Sequence, residues 1–297
     1  MNQIEANPRH VPEIVDYVVD RLMAEGYADL SDRSDLHLYQ DRSLHRQMME
    51  GKIEHTEDVV CATDDIIREM GGRIEGSEEE WNSYQAGAIA RLHDIGRFTE
   101  ITKYGTFNSR VTGFDHSKDG ALIFDFLFGN SDEGRILERL GCDLQVIEEA
   151  ISYHSVKDYR GNNQYVYLIR DADKLALLRR LDFQEDVINR DQNLAAEGYS
   201  ADVVRQVLAD HTSVSHGTVL TKADSLIRLF AFLLNINFDA TKGLLLRSAF
   251  LPELIKKFQE YSLPNEVIKA MINVVVEEWN KTAKTTTFTR QDFPLVE

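Results

Sequence analysis

This sequence contains few cysteines and few prolines, and it has no excess of positive charge. The two cysteines, Cys61 and Cys142, form no Cys-x-x-Cys motif, so nothing indicates a disulfide framework and a reducing, cytoplasmic location is expected. Only five prolines interrupt the 297 residues, and no low-complexity tract or linker divides them. The net charge of −17 argues against duplex nucleic acid as a partner, because that binding requires a basic stripe.

Long apolar runs are missing as well. The longest, 229–234, is far shorter than the roughly 20 residues that span a bilayer, so no membrane partner is expected. No basic-then-apolar signal segment opens the sequence. With 43% hydrophobic residues, the chain can instead bury a sizeable core. A small anionic ligand remains compatible with the acidic balance wherever a metal supplies local positive charge.

Apolar residues recur at helical spacing along most of the chain, as Val59, Ala62 and Ile66 show. No convincing strand pair or Asn-Gly hairpin turn is present. The patterns predict helices over about 11–24, 35–50, 54–70, 77–95, 115–128, 143–154, 164–180, 241–260 and 265–280, with a polar loop over about 97–114. The fold class is therefore predicted to be all-α, with residues 1–297 forming a single unit.

Two local features are expected to set helix ends. Gly51 is expected to end one helix, because glycine is a weak helix former. The capping-box pattern Ser77-Glu-Glu-Glu80 is expected to open another. The stretch 226–234 is apolar on almost every side and is expected to be buried.

Six residues of metal-ligand type fall on otherwise apolar helical faces: His55, His93, Asp94, His116, His154 and Asp171. A lone histidine on such a face is usually a hydrogen-bonded core residue, but five helical segments that each carry one are better explained by a bound cation. Asp171 interrupts a stripe of leucines, and a buried carboxylate is costly without a partner. Imidazole and carboxylate together suit zinc, iron or manganese.

The order His55, His93-Asp94 and Asp171 resembles the H…HD…D signature of the HD-domain superfamily of metal-dependent phosphohydrolases. His116 and His154 match the two extra histidines of its six-ligand, dinuclear branch. The phrases His93-Asp-Ile-Gly-Arg-Phe98 and Tyr104-Gly-Thr-Phe107 are similar to a bacterial group of predicted HD hydrolases. The resemblance covers about 45–180, the expected HD core, while about 181–297 resembles that group's helical extension.

The resemblance implies a bundle of at least five helices around one or two divalent ions (Mn, Fe, Zn, Mg or Ni). His55, His93, Asp94 and Asp171 would hold one ion, and Asp94 would bridge to a second ion held by His116 and His154. Arg97 stands where a related branch has a lysine that contacts the substrate phosphate. The Gly-Tyr-Pro motif of that branch is missing, so its cyclic-dinucleotide substrate is not carried over.

The expected function is hydrolysis of a phosphate ester, of a nucleotide or another small molecule, by a metal-activated water. The catalytic residues would be Asp94 and Arg97, and the substrate-binding residues would be Arg97, Arg110 and Lys118. Two alternatives share the same ligand pattern. One is a di-iron oxygenase on the same scaffold, and the other is a non-catalytic module that senses a nucleotide.

Overall fold

A computed structural model describes residues 42–107, 112–180, 194, 198–214 and 216–294. The helix expected over 11–24, the first part of the one expected over 35–50, and Arg110 lie outside these residues. The regular structure of the described part is helical and includes no sheet, which confirms the all-α prediction. None of the described helices combines the length and the apolar character that crossing a membrane requires.

The chain divides into two compact units. Among the described residues, the first unit comprises 42–68 and 79–172, and the second comprises 69–78, 173–180 and the described residues from 194 onward. The second division falls inside one continuous helix, Gln164–Arg179. The prediction that residues 1–297 form a single unit stays a prediction.

The first unit contains the helices on which the candidate ligands lie. They are α1 (Arg42–Glu69), α2 (Ser83–Leu92), α3 (Gly96–Tyr104), α4 (His116–Phe128), α5 (Asp132–Arg139), α6 (Leu144–Tyr153) and the start of α7 (Gln164–Arg179). Helix α4 packs against both α3 and α6. Three of these helices therefore meet at the stretch that follows His93.

Helix α1 runs through Gly51, so the predicted break there is wrong. A glycine inside a helix costs only about 1 kcal/mol, and the 28-residue helix outweighs that cost. The predicted start at Ser77 is also wrong. Helix α2 begins at Ser83, where the Asn82 side chain accepts hydrogen bonds from the backbone N–H groups of Tyr84 and Gln85.

The polar loop predicted over about 97–114 is wrong in its first half, where α3 forms. Phe98 and Ile101 supply this helix with a buried apolar face. Gly105 ends it in the left-handed conformation, with a φ of 67° that suits glycine. The helix places Arg97 in its first turn, next to Asp94.

The second unit is built from α8 (Ala201–Leu208), α9 (Lys222–Phe230), α10 (Asp239–Leu246), α11 (Phe250–Glu260) and α12 (Asn265–Thr282), with short 3₁₀ turns at His216–Thr218, Ala231–Asn235 and Arg290–Asp292. The single helix predicted over 241–260 is therefore two helices. Leu226, Phe230 and Leu233 are fully buried, which confirms the predicted burial of this stretch.

A buried ion pair joins parts of the second unit that are distant in sequence. The Lys242 ammonium donates to Asp239 Oδ1 at 3.0 Å and to the carbonyl of Trp279 at 3.2 Å. Asp239 Oδ2 accepts from the backbone N–H groups of Lys284 and Thr285 at 2.9 and 2.8 Å. The charges of this pair are thus matched within the unit, and their role is structural.

Candidate metal centre

His93 and Asp94 lie in the turn between α2 and α3. The backbone N–H of His93 donates to the Ile89 carbonyl, which caps α2. His93 is fully buried, and Asp94 is only 6% exposed. The apolar side chains of Ile89 and Leu92, both buried, anchor the end of α2 in the core. This packing holds an imidazole and a carboxylate together inside the protein.

Asp94, His116 and His154 form a buried group that can bind a metal ion. Their ligand atoms lie within 4.8 Å of one another. Asp94 Oδ1 is 3.4 Å from Nε2 of His116 and 3.4 Å from Nε2 of His154. Two ligands held at about 2.1 Å by one tetrahedral ion are themselves about 3.4 Å apart. The two nitrogens and one oxygen therefore fit a zinc, iron or manganese ion in both chemistry and spacing.

Backbone carbonyls set the tautomers of two histidines. His93 Nδ1 lies 2.8 Å from the Ala90 carbonyl oxygen, and His154 Nδ1 lies 2.7 Å from that of Ile151. A carbonyl oxygen can only accept, so both Nδ1 atoms carry hydrogen. In the neutral rings, Nε2 then keeps its lone pair for a metal, as in many protein metal sites.

The two oxygens of Asp94 face different histidines. Oδ1 faces His116 and His154, whereas Oδ2 is 3.8 Å from Nε2 of His93. The His93 ring centroid is in turn 5.9 Å from that of His55 and 5.3 Å from that of His154. This arrangement suits a carboxylate that bridges two metal positions.

Helix α7 carries Asp171, the fourth ligand that the sequence led us to expect for the first ion. Its side chain is fully buried beside Arg170. A role of Asp171 as a metal ligand stays a prediction.

The protonation states of Asp94 and His116 also suit a bound cation. Burial works to raise the pKa of the Asp94 carboxyl, but the positive charges of Lys52 and Arg97 help to hold that pKa well below its usual value. Burial, only partly offset by the Asp94 charge, lowers the pKa of His116 from 6.5 to about 3. Near neutral pH the carboxylate is ionised and His116 is neutral, which are the forms that bind metal.

His116 makes the metal-free protein less stable in acid. The unfolded chain protonates this imidazole near pH 6.5 and the folded chain only near pH 3, so the unfolded state binds more protons between these values. Stability should therefore fall as the pH falls through this window, by about 1.4 kcal/mol per unit from His116 alone. Urea unfolding between pH 4 and 7 should show a shallower slope for His116→Gln. An unchanged slope, or one that also flattens in the control His211→Gln, would contradict this.

Arg97 and Lys118, two of the residues expected to bind substrate, differ in their contacts and exposure. Arg97 Nε is 3.6 Å from Asp94 Oδ1, and its Nη1 donates to the fully buried Glu100 at 2.6 Å. Lys118 is 73% exposed at its side chain and pairs with Asp115 at 3.3 Å. Arg110 lies outside the described residues. Of the two that the structure describes, Arg97 is the one that contacts the candidate metal centre.

Sequence reasoning missed Lys52 and Glu100. Lys52 lies three residues before His55 on α1, and this spacing puts both on one helical face. Glu100 fell in a stretch that was expected to be a loop and therefore had no assigned face.

Comparison of the chain with protein-family models, with curated protein sequences and with solved structures found no match.

Proposed function

We propose that the protein is a metal-dependent phosphohydrolase of HD-domain type that cleaves a phosphate ester of a small molecule, such as a nucleotide. The observation that carries the proposal is the buried Asp94, whose Oδ1 lies 3.4 Å from Nε2 of both His116 and His154. Two cations, Lys52 and Arg97, contact the same carboxylate in a chain of net charge −17. A metal centre with local positive charge suits an anionic substrate.

Four residues would have separate roles in hydrolysis of a phosphate ester. A divalent ion held here would lower the pKa of a water ligand towards neutrality. His116 and His154 would hold the ion through Nε2. The hydrogen bond from His154 Nδ1 to the Ile151 carbonyl orients the His154 ring. Asp94 stays ionised, because nearby positive charges hold its pKa low. The charge of Arg97 would oppose the negative charge of the phosphoryl group.

Metal content and a substrate panel test the proposal. The protein, purified without oxygen, should carry one to two divalent transition ions per chain. With Mn²⁺ or Fe²⁺ added, it should release phosphate or a nucleoside monophosphate from at least one member of a phosphatase and phosphodiesterase panel. Absence of bound metal would contradict the proposal.

Two other results would point to other functions. Background activity on every phosphate ester, with substrate-dependent O₂ uptake by iron-loaded protein, would indicate an oxygenase. Tight nucleotide binding without turnover by the metal-loaded protein would indicate a sensing module. Each result would replace hydrolysis as the function of this site.

A further inference from the structure

Lys52 is the closest cation to the candidate metal centre. Its Nζ lies 2.7 Å from Asp94 Oδ2, the oxygen on the His93 side. The side chain is 23% exposed, so solvent and small solutes can reach it. Helix α1 places Lys52 one turn before His55, and the lysine therefore lies at the solvent-accessible edge of the ligand set.

The environments of Lys52 and Arg97 differ in how much negative charge each cation faces. Arg97 contacts two carboxylates, since its guanidinium is 2.6 Å from Glu100 and 3.6 Å from Asp94. It also donates to the Phe107 carbonyl at 3.3 Å. The charge of Arg97 is therefore largely matched by buried acidic groups of the protein itself.

Within the described part of the chain, Lys52 faces one carboxylate, and that carboxylate is the candidate metal ligand Asp94. Its side chain also contacts the ring of Phe107, whose centroid is 5.8 Å from Nζ. An aromatic face attracts an ammonium without neutralising it. If Asp94 shared its charge with a divalent ion, the ammonium of Lys52 would keep positive charge that an anionic ligand could use.

We propose that Lys52, rather than Arg97, is the residue that binds the phosphate group of the substrate. An ammonium with three donors is a compact partner for phosphate oxygens. This inference rests on the proposed function and identifies which side chain recognises the anion. Arg97 then has a positioning role, because it ties Asp94 to the buried Glu100 at the start of α3.

The experiment compares three variants of the full chain: Lys52→Met, Lys52→Arg and, as a control, Arg68→Met. Arg68 lies on the same helix, is 76% exposed and pairs only with the surface residue Asp65 in the contacts described, so its loss makes the same change in net charge away from the site. Calorimetry measures the dissociation constant of inorganic phosphate for each Mn²⁺-loaded protein. Elemental analysis measures the bound metal.

We expect phosphate binding to weaken by about 10- to 100-fold in Lys52→Met, as when one hydrogen bond to a charged group is lost. Binding should stay within about threefold of wild type in Lys52→Arg, which keeps the charge, and be unchanged in Arg68→Met. The bound metal should be at least that of wild type in all three, because Lys52 is a competitor for Asp94 and not a ligand.

Three results would overturn the assignment of Lys52. They are wild-type phosphate affinity in Lys52→Met, loss of metal in that variant, and no phosphate binding by wild type. The proposed function fails on a different measurement, namely wild-type protein that binds no metal or hydrolyses no phosphate ester. The two failures are therefore distinguishable.

Discussion

Asp94→Ala is expected to remove most of the bound metal and, with it, the phosphohydrolase activity that we propose. Asp94 is the residue whose two oxygens face separate histidines, so its loss removes a ligand from both candidate positions. Loss of an outer-shell partner alone costs 10- to 100-fold in metal affinity, so loss of this ligand should cost more than about 100-fold. Elemental analysis after dialysis and equilibrium titration with Mn²⁺ measure the effect.

The matched control for this substitution is Asp125→Ala, which removes an exposed carboxylate from α4 and should leave metal content unchanged. Circular dichroism must show that Asp94→Ala is folded, because removing this carboxylate leaves Lys52 and Arg97 without a shared acceptor. Wild-type metal content in folded Asp94→Ala would rule out the proposed centre. Equal loss of metal in Asp125→Ala would show that the effect is not specific to Asp94.

Gly96→Ala is expected to cause a large loss of stability in the first unit. A Cβ atom at Gly96 would lie 2.1 Å from the His116 carbonyl oxygen and 2.8 Å from the Gly120 nitrogen. Both are backbone atoms, so α3 and α4 would have to move apart. Such overpacking should lower the free energy of unfolding by about 3 kcal/mol or more. The movement would also displace His116 and weaken metal binding.

Gly51→Ala is the control for the glycine substitution, and its effect should have the opposite sign. No neighbouring atom of the described residues lies within 4 Å of a Cβ built at Gly51, which is inside α1. Alanine should therefore raise the free energy of unfolding by about 0.5–1 kcal/mol through helix propensity. Urea unfolding measures both variants. Equal stability in Gly96→Ala and wild type would mean that α3 and α4 do not approach as closely as described.

Helical periodicity was sufficient to predict the fold class and the main helices of the described chain. It failed at Gly51 and Ser77, where local signals for helix ends were outweighed. Gly51 lies in a long helix whose stability outweighs the cost of one glycine, and the Asn82 side chain supplied a cap five residues after Ser77. Local propensities are of the order of 1 kcal/mol, so tertiary packing can override them.

The ligand set was predictable in part because buried polar residues are exceptional. His93, Asp94, His116 and His154 stood out on apolar faces, and the structure buries all four within one unit.

The sequence by itself determined that this chain is all-α and that histidine and aspartate residues lie on its buried helical faces. Both properties follow from the periodicity of apolar side chains, which is local. Only the tertiary structure decided that Lys52 contacts Asp94 across 42 positions of the chain and that Asp94 Oδ1 faces both His116 and His154. Contacts of this kind depend on how helices pack, and the pattern within one helix does not encode which neighbour it meets.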